Sequence, residues 1–317
     1  SLSIIYIVFS NQNAFEVICF IDLLARGCSY LYVRRIMPEL RSRGIVEFKK
    51  AVSEMVENWF CGVNLFFSNF SSMLSIGIFR FLIENKWDII TFGKVSLAIS
   101  AVGAFVVLSN AASLALFPAM RRIDEKYIKE SFVLTNDLLC CFGLCLQWLY
   151  FPLCILLTIW LPNYVDSFTY MGLLFPMCIY DIKWTSLEST ILKAIRQEKQ
   201  ILYTNIVSLL VSVLFGIIIW LGMCSVINVM IGLVSVFICK HIMGVKIIKK
   251  ALCIDKYSVG TEGIAFMIVI LYYIIVVNLD AFEGGVIYGL LLLAFGIWKS
   301  NAIKIKCKAI KEIYMNI

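Results

Sequence analysis

Three ionisable residues, Asp181, Lys183 and Glu188, interrupt an apolar run at 168–193, with Thr185 and Ser186 between them. In a helix Asp181, Thr185 and Glu188 stand at i, i+4 and i+7 and share one face, while Lys183 points elsewhere on the wheel. An ionisable group at membrane depth is costly and turns to a bundle interior, a partner or a water-filled cavity. The stripe therefore reads as a transport pathway that exposes Asp181 to water, as a structural network between helices, or as a misplaced span. Arg80 ends a run at 58–81, and Lys94 stands about one turn inside a run at 90–118. Each reads as a cation snorkelling to the interface or as an anion-binding group in an outward-open cavity. Asn64, Ser68, Ser71 and Ser75 form one polar stripe at i, i+4, i+7 and i+11, which must face another helix or a cavity. Ser100, Ser109, Asn110 and Ser113 read as close helix packing. Asp22 and Arg26, four apart, can pair along one helix. The candidate cavity set is thus Asn64, Ser68, Arg80, Lys94, Asp181, Lys183 and Glu188.

What must hold these residues is a bundle in lipid. The 317 residues are 61% hydrophobic and only 15% charged, with a mean hydropathy of +0.91. Soluble domains run at about 45–50% apolar and about 25% charged. Lipid offers the backbone no hydrogen-bond partner, so a span is a helix or a strand of a closed barrel. Barrel strands alternate apolar and polar residues over about ten positions; the runs here are longer and apolar on all sides. A bilayer core of about 30 Å needs about 20 helical residues. About nine spans are predicted, near 14–34, 58–81, 90–118, 137–160, 168–193, 201–222, 226–243, 262–279 and 285–299. The fold class is all-α, a polytopic transmembrane helix bundle.

Basic residues set the orientation. Lys and Arg crowd the loops at 34–50, 121–129, 193–199, 240–256 and 299–311, whereas the alternate loops at 162–167 and 278–285 have none and 84–88 has only Lys86. By the positive-inside rule the basic loops and the C-terminus are cytoplasmic, which predicts a multi-pass inner-membrane protein. The net charge of +7 follows this one-sided pattern and does not point to a nucleic-acid partner. Ile45, Phe48, Val52, Val56 and Trp59 recur at helical spacing, as do Ile123 and Tyr127, predicting two amphipathic surface helices. They read as anchoring connectors or as grips on lipid phosphate.

The twelve cysteines lie mostly in apolar runs, no C-x-x-C pair occurs, and the sole histidine, His241, has no cysteine at zinc-ligand spacing. Neither a disulfide framework, a metal nor a cofactor is expected. There is no Walker motif, G-x-S-x-G or H-E-x-x-H, and no extramembrane segment large enough to host catalysis, so the chain is not expected to be an enzyme. The stretch 2–9 is too short to span and lacks the basic flank of a signal peptide. With Ser1 first, this predicts a C-terminal part of a longer protein.

The order of features carries a resemblance. After a basic linker and a polar-striped span comes Phe92-Gly93-Lys94-Val95-Ser96-Leu97-Ala98. This segment resembles the V-G-x-Y-S-L-A start of the eighth helix in Wzx-like polysaccharide and O-antigen flippases. These belong to the multidrug/oligosaccharidyl-lipid/polysaccharide exporter superfamily. Val95 stands where that pattern has Tyr. Leu116-Phe117-Pro118-Ala119-Met120-Arg121-Arg122 looks like the family's F-P-x-x-x-R exit, and Trp160-Leu161-Pro162-Asn163-Tyr164 is similar to its G-x-x-Y turn without the Gly. The resemblance implies two lobes of helices around a cavity. Here 1–34 would end the first lobe, 35–57 would be a cytoplasmic amphipathic linker, 58–243 the second lobe, and 244–317 a C-terminal helix pair with a basic tail. It implies flipping of undecaprenyl-pyrophosphate-linked oligosaccharide by alternating access, with Arg80, Lys94 and Lys183 the cations by type. The implied partners are the lipid-linked oligosaccharide, membrane lipids, and polysaccharide polymerase or assembly proteins. Alternatives are a drug or metabolite efflux transporter of the same superfamily, and a membrane polysaccharide polymerase, against which the short outer loops argue.

The orientation has a direct test. A reporter active only in the cytoplasm should work when fused after Lys129 or Lys250 and stay silent after Asn163; the reverse pattern would invert the topology.

Overall fold

The computed structural model describes residues 14–36, 48–122, 125–222, 225–252 and 259–315. Side chains at 14–21, 34, 48–50, 108–131, 259–260 and 300–315 are outside this description. The stretch 2–9, Ile45 and Ile123 therefore fall outside it, as do the side chains of Ser109, Asn110, Ser113 and the 116–122 motif. Every described element is helical: α1 (Ala14–Ile36), α2 (Phe48–Lys86), α3 (Ile89–Arg122), α4 (Glu125–Trp148), α5 (Tyr150–Trp160), α6 (Val165–Leu174), α7 (Pro176–Lys183), α8 (Ser189–Ala194), α9 (Glu198–Leu221), α10 (Val226–Leu252), α11 (Val259–Asn278) and α12 (Ala281–Met315). A 3-10 turn (Pro162–Tyr164) precedes α6, and a π turn (Trp184–Glu188) joins α7 to α8. The chain is an all-α polytopic bundle.

Two compact units divide at Asn58 and Trp59. In the first, Arg26 Nε donates to Asp22 Oδ2 at 2.8 Å along the exposed face of α1, the pairing that the i, i+4 spacing predicts. The second unit holds most of the length of the helices long and apolar enough to span. Seven such stretches occur among the described residues: Ala51–Lys86, Ile89–Val107, Phe132–Trp160, Glu198–Leu221, Val226–Leu252, Thr261–Asn278 and Ala281–Lys299. Two of the nine predicted spans are not among them. Every 18-residue window of α1 holds at least three charges, Asp22 and Arg26 in each. The run at 168–193 is instead the broken helix α6–α8, and it lies at the centre. From Met171 to Leu192 its residues are buried, except for the half-buried Thr185. Helices α3, α4, α10 and α11 pack around it. On the outside, Leu214 and Leu221 of α9 and Leu290 and Ile297 of α12 are 59%, 80%, 62% and 72% exposed, an apolar surface suited to lipid. The predicted surface segments at 45–59 and 121–129 are not separate helices where described, since α2 and α4 run unbroken from Phe48 and Glu125 into the spans.

Two prolines shape the centre. Pro152 has no N–H for the carbonyl of Trp148, and the helix breaks there, between α4 and α5. Pro176 likewise leaves the carbonyl of Gly172 without its usual partner. The Tyr272 hydroxyl donates to Gly172 O at 3.0 Å, and the Tyr273 hydroxyl to Leu173 O at 2.9 Å. Neighbouring side chains thus replace what the proline removes, as a membrane interior requires. Tyr150, Phe151, Phe175, Tyr272 and Tyr288 close around this point, with neighbouring ring centres 5.2–6.1 Å apart. Gly172 is obligatory beside them, because a Cβ there would sit 2.6 Å from the Tyr150 ring.

The polar stripe of α2 meets a matching stripe on α9. Asn205 Nδ2 donates to Ser68 Oγ across the interface, and Ser68, Ser71, Ser75, Ser208 and Ser212 are buried. At the far end of this pair Lys86 Nζ reaches Ile219 O and Gly222 O, each at 2.5 Å. These are carbonyls that the end of α9 leaves without intrahelical partners. Asp88 accepts the Thr91 hydroxyl at the start of α3, which holds its carboxyl below the usual carboxylate range.

Lys86→Met should therefore destabilise the bundle by about 1.5–3 kcal/mol, the worth of hydrogen bonds to a charged group, and Lys86→Arg by less. Thermal unfolding of the purified protein in detergent measures both; an unchanged midpoint for Met would remove the cap from the account.

Candidate functional site

The charged core is assembled from four elements around the π turn. A π turn holds one residue more than an α turn, so it rotates the next stretch of helix about its axis. Glu188, the last residue of that turn, is fully buried and faces α10, where His241 Nδ1 meets its Oε1. The other ring nitrogen, Nε2, stands 3.5 Å from Glu262 Oε2 on α11. Lys183, 1% exposed, donates to both oxygens of Glu262 at 2.7 and 2.8 Å. Asn136 Nδ2 of α4 adds a further bond to Glu262 Oε1 at 2.6 Å. One carboxylate thus collects a lysine, an asparagine and a histidine, and the histidine bridges to a second carboxylate. An imidazole between two carboxylates can donate from both nitrogens only as imidazolium.

Flanking pairs extend the core. Lys299 of α12 stands 3.1 Å from Asp137 Oδ1 and donates to Thr261 Oγ1 at 2.6 Å. Asn136 and Asp137 are consecutive on α4, and Thr261 and Glu262 on α11, so each helix serves both clusters. On the other side Lys240 donates to Ser72 Oγ at 3.0 Å and lies 4.8 Å from the centre of the Trp184 ring. It also feels the field of Asp181 and Glu188. Among these described residues, three lysines face four carboxylates, and a protonated His241 makes the set neutral. Removing one member of a buried pair costs about 3–5 kcal/mol, because a charge is left without its counter-charge.

Space for Glu188 is left by a missing side chain. A Cβ on Gly244 would lie 2.1 Å from Glu188 Oε2 and 2.9 Å from Trp184 Cζ3. Next to the cluster a cavity of about 460 Å³ opens between α10 and α11, with Lys183, His241 and Glu262 on its wall. A larger groove of about 900 Å³ between α5 and α12 is lined almost entirely by apolar side chains.

The residues singled out from sequence fall in different places. Lys183 and Glu188 join the core. Asp181 is buried in the bundle interior, not on the wall of that cavity, and its Oδ2 has no hydrogen-bond partner. Thr185 bonds its own helix, donating to Asp181 O at 2.8 Å, so the shared face does not act as one unit. Ser68 belongs to the α2–α9 seam, and Asn64 is half-buried on the same helix. Lys94 pairs with Asp166 at 2.5 Å near the opposite end of the bundle, joining α3 to α6. Arg80 is half-buried, and its buried Nε has no hydrogen-bond partner. Arg80, Lys94 and Lys183 therefore have separate surroundings. Sequence reasoning missed His241, Glu262, Asn136 and Asp137. It also placed Lys240 and Lys299 among loop cations, whereas they are 3% and 4% exposed within helices. The available signal for His241 was its place inside an apolar run; for Glu262, its place at the edge of one.

Gly244→Ala is the sharpest probe of the geometry. Gly→Ala in a helix normally stabilises, by up to about 1 kcal/mol, and Gly103→Ala on α3, where a Cβ meets nothing within 4 Å, should follow that rule. Gly244→Ala should instead cost about 1–3 kcal/mol through overpacking. Equal midpoints for the two variants in detergent would contradict the placement of Glu188.

No protein-family model, curated protein or solved structure matches this chain.

Proposed function

We propose that this chain is the translocating part of a membrane transporter, not an enzyme, and that it flips undecaprenyl-pyrophosphate-linked oligosaccharide across a bacterial inner membrane by alternating access. The observation that carries the reading is the charged core enclosed by apolar spans. Ionisable groups at such a depth mark substrate or ion pathways. The motif order and the one-sided basic loops supply the substrate class and the orientation. A pyrophosphate cannot cross hydrocarbon bare; a charge at the bilayer centre costs about 2.5–3.5 kcal/mol even on the lenient insertion scale.

In this reading two cation–carboxylate pairs are exchanged during the cycle. Lys94–Asp166 closes one end of the bundle, and Lys183–Glu262 closes the core. The substrate phosphate takes the place of Glu262 on Lys183 and is released when Glu262 returns. Arg80, with its buried Nε unbonded, offers a further donor. A second reading, efflux of cationic compounds, is favoured by one observation: Asp181 Oδ2 and Glu188 Oε2 are buried without hydrogen-bond partners. An acidic interior suits a cation.

The intact gene should restore surface polysaccharide in a flippase-deficient strain. Lys183→Glu should abolish export, and Lys94→Glu and Arg80→Glu should reduce it, at unchanged protein abundance in the membrane. Export at wild-type level in all three variants would sink the anion mechanism. Drug resistance conferred without polysaccharide rescue would select the efflux reading.

A further inference from the structure

Helices α10 and α11 scarcely touch each other, and the cavity of about 460 Å³ fills the gap. Its two ends differ in chemistry. At the end nearer the basic loop, Lys246 and Lys249 line it together with Glu262. Lys246 and Lys249 are three apart and so share a face of α10. Towards the middle of the bundle the walls are mostly apolar, Ile179, Ile238, Ile242, Val245, Phe266 and Val269, with Lys183 and His241 among them, each held by a carboxylate. Ile242 and Phe266 are 47% and 44% exposed, so the cavity opens sideways. Glu262 is held by Lys183, and the two lysines stand at the rim beside it.

The dimensions agree with one molecule. From Lys249 to Ile238 is eleven residues, about 16 Å of helix at 1.5 Å per residue. One leaflet of a hydrocarbon core about 30 Å thick is about 15 Å. A ligand with an anionic head at the two lysines and a chain along the isoleucines would thus lie as a lipid lies in its own leaflet.

We propose that this cavity is a binding site for one anionic phospholipid of the surrounding bilayer, its phosphate held by Lys246 and Lys249 and one acyl chain seated between α10 and α11. Basic pockets between transmembrane helices recognise such headgroups. The apolar walls separate this site from a free-phosphate site, because inorganic phosphate would leave them uncovered. The inference depends on the spanning fold alone, not on what the protein transports. Its consequence is structural as well: the lipid lies beside His241 and Glu262, so its presence bears on the wall of the charged core.

The test is native mass spectrometry of the full chain released from detergent micelles that contain phosphatidylglycerol or phosphatidylcholine. One phosphatidylglycerol per chain should be retained, in clear preference to phosphatidylcholine, and millimolar inorganic phosphate should not displace it. Lys246→Gln with Lys249→Gln should weaken retention about 30-fold, from the usual contribution of two surface lysines at a lipid headgroup. Lys199→Gln with Lys250→Gln, the same charge loss outside the cavity, should leave retention unchanged. Equal retention of the two lipids by the wild-type protein would overturn the proposal without reference to any variant. So would an equal loss in both double variants, or displacement by inorganic phosphate. Displacement by a polyprenyl pyrophosphate at stoichiometric concentration would also overturn it, and would reassign the cavity to the transported lipid.

Discussion

Hydrocarbon supplies no hydrogen bonds, so a polar backbone group inside this bundle has to be satisfied by the protein. The consequence is visible wherever a helix departs from regularity. Pro176 removes a donor from the central helix, and Tyr272 and Tyr273 supply hydroxyls to the carbonyls of Gly172 and Leu173. The last turn of α9 ends with free carbonyls, and Lys86 arrives from α2 to take them. In water each of these groups would be solvated at little cost. Here they dictate which side chains stand on neighbouring helices.

The same constraint acts more strongly on charge. Lys183, Glu188, His241 and Glu262 would each be prohibitive alone at this depth; together they form a nearly neutral set with Asn136 as an additional donor. Such a set is not the most stable way to fill a core, since well-packed apolar groups often do as well or better. In the proposed cycle its construction suits a switch. Exchanging one partner, such as Glu262 on Lys183, releases its neighbours, because His241 and Asn136 share the same carboxylate. The π turn belongs to this design: it turns Glu188 toward His241, where the lack of a side chain at Gly244 leaves room.

Much of the architecture could be read from one dimension. Apolar runs of about 20 residues sufficed to identify the helices, because a bilayer of known thickness selects that length and lipid forbids other backbone forms. Helical periodicity placed Asn64, Ser68, Ser71 and Ser75 on one face and paired Asp22 with Arg26, since contacts three or four residues apart belong to a single helix. The same logic showed that the run at 168–193 could not face lipid, and in the bundle that run is the buried centre.

Periodicity names a face of a helix but not the helix opposite it. Glu188 and His241 are 53 residues apart, Lys183 and Glu262 are 79 apart, and Ser68 and Asn205 are 137 apart; no spacing rule connects them. The π turn also carries no sequence signature, so the face shared by Asp181, Thr185 and Glu188 holds only for an ideal helix. Lys240 and Lys299 resemble loop anchors in the sequence because they end apolar runs, and only packing shows them folded back onto buried partners. The sequence by itself determined that charge lies inside a helical membrane bundle, through hydropathy and local geometry. Which charges meet was decided by the tertiary structure, because the energy of an ion pair depends on distances set by packing between helices.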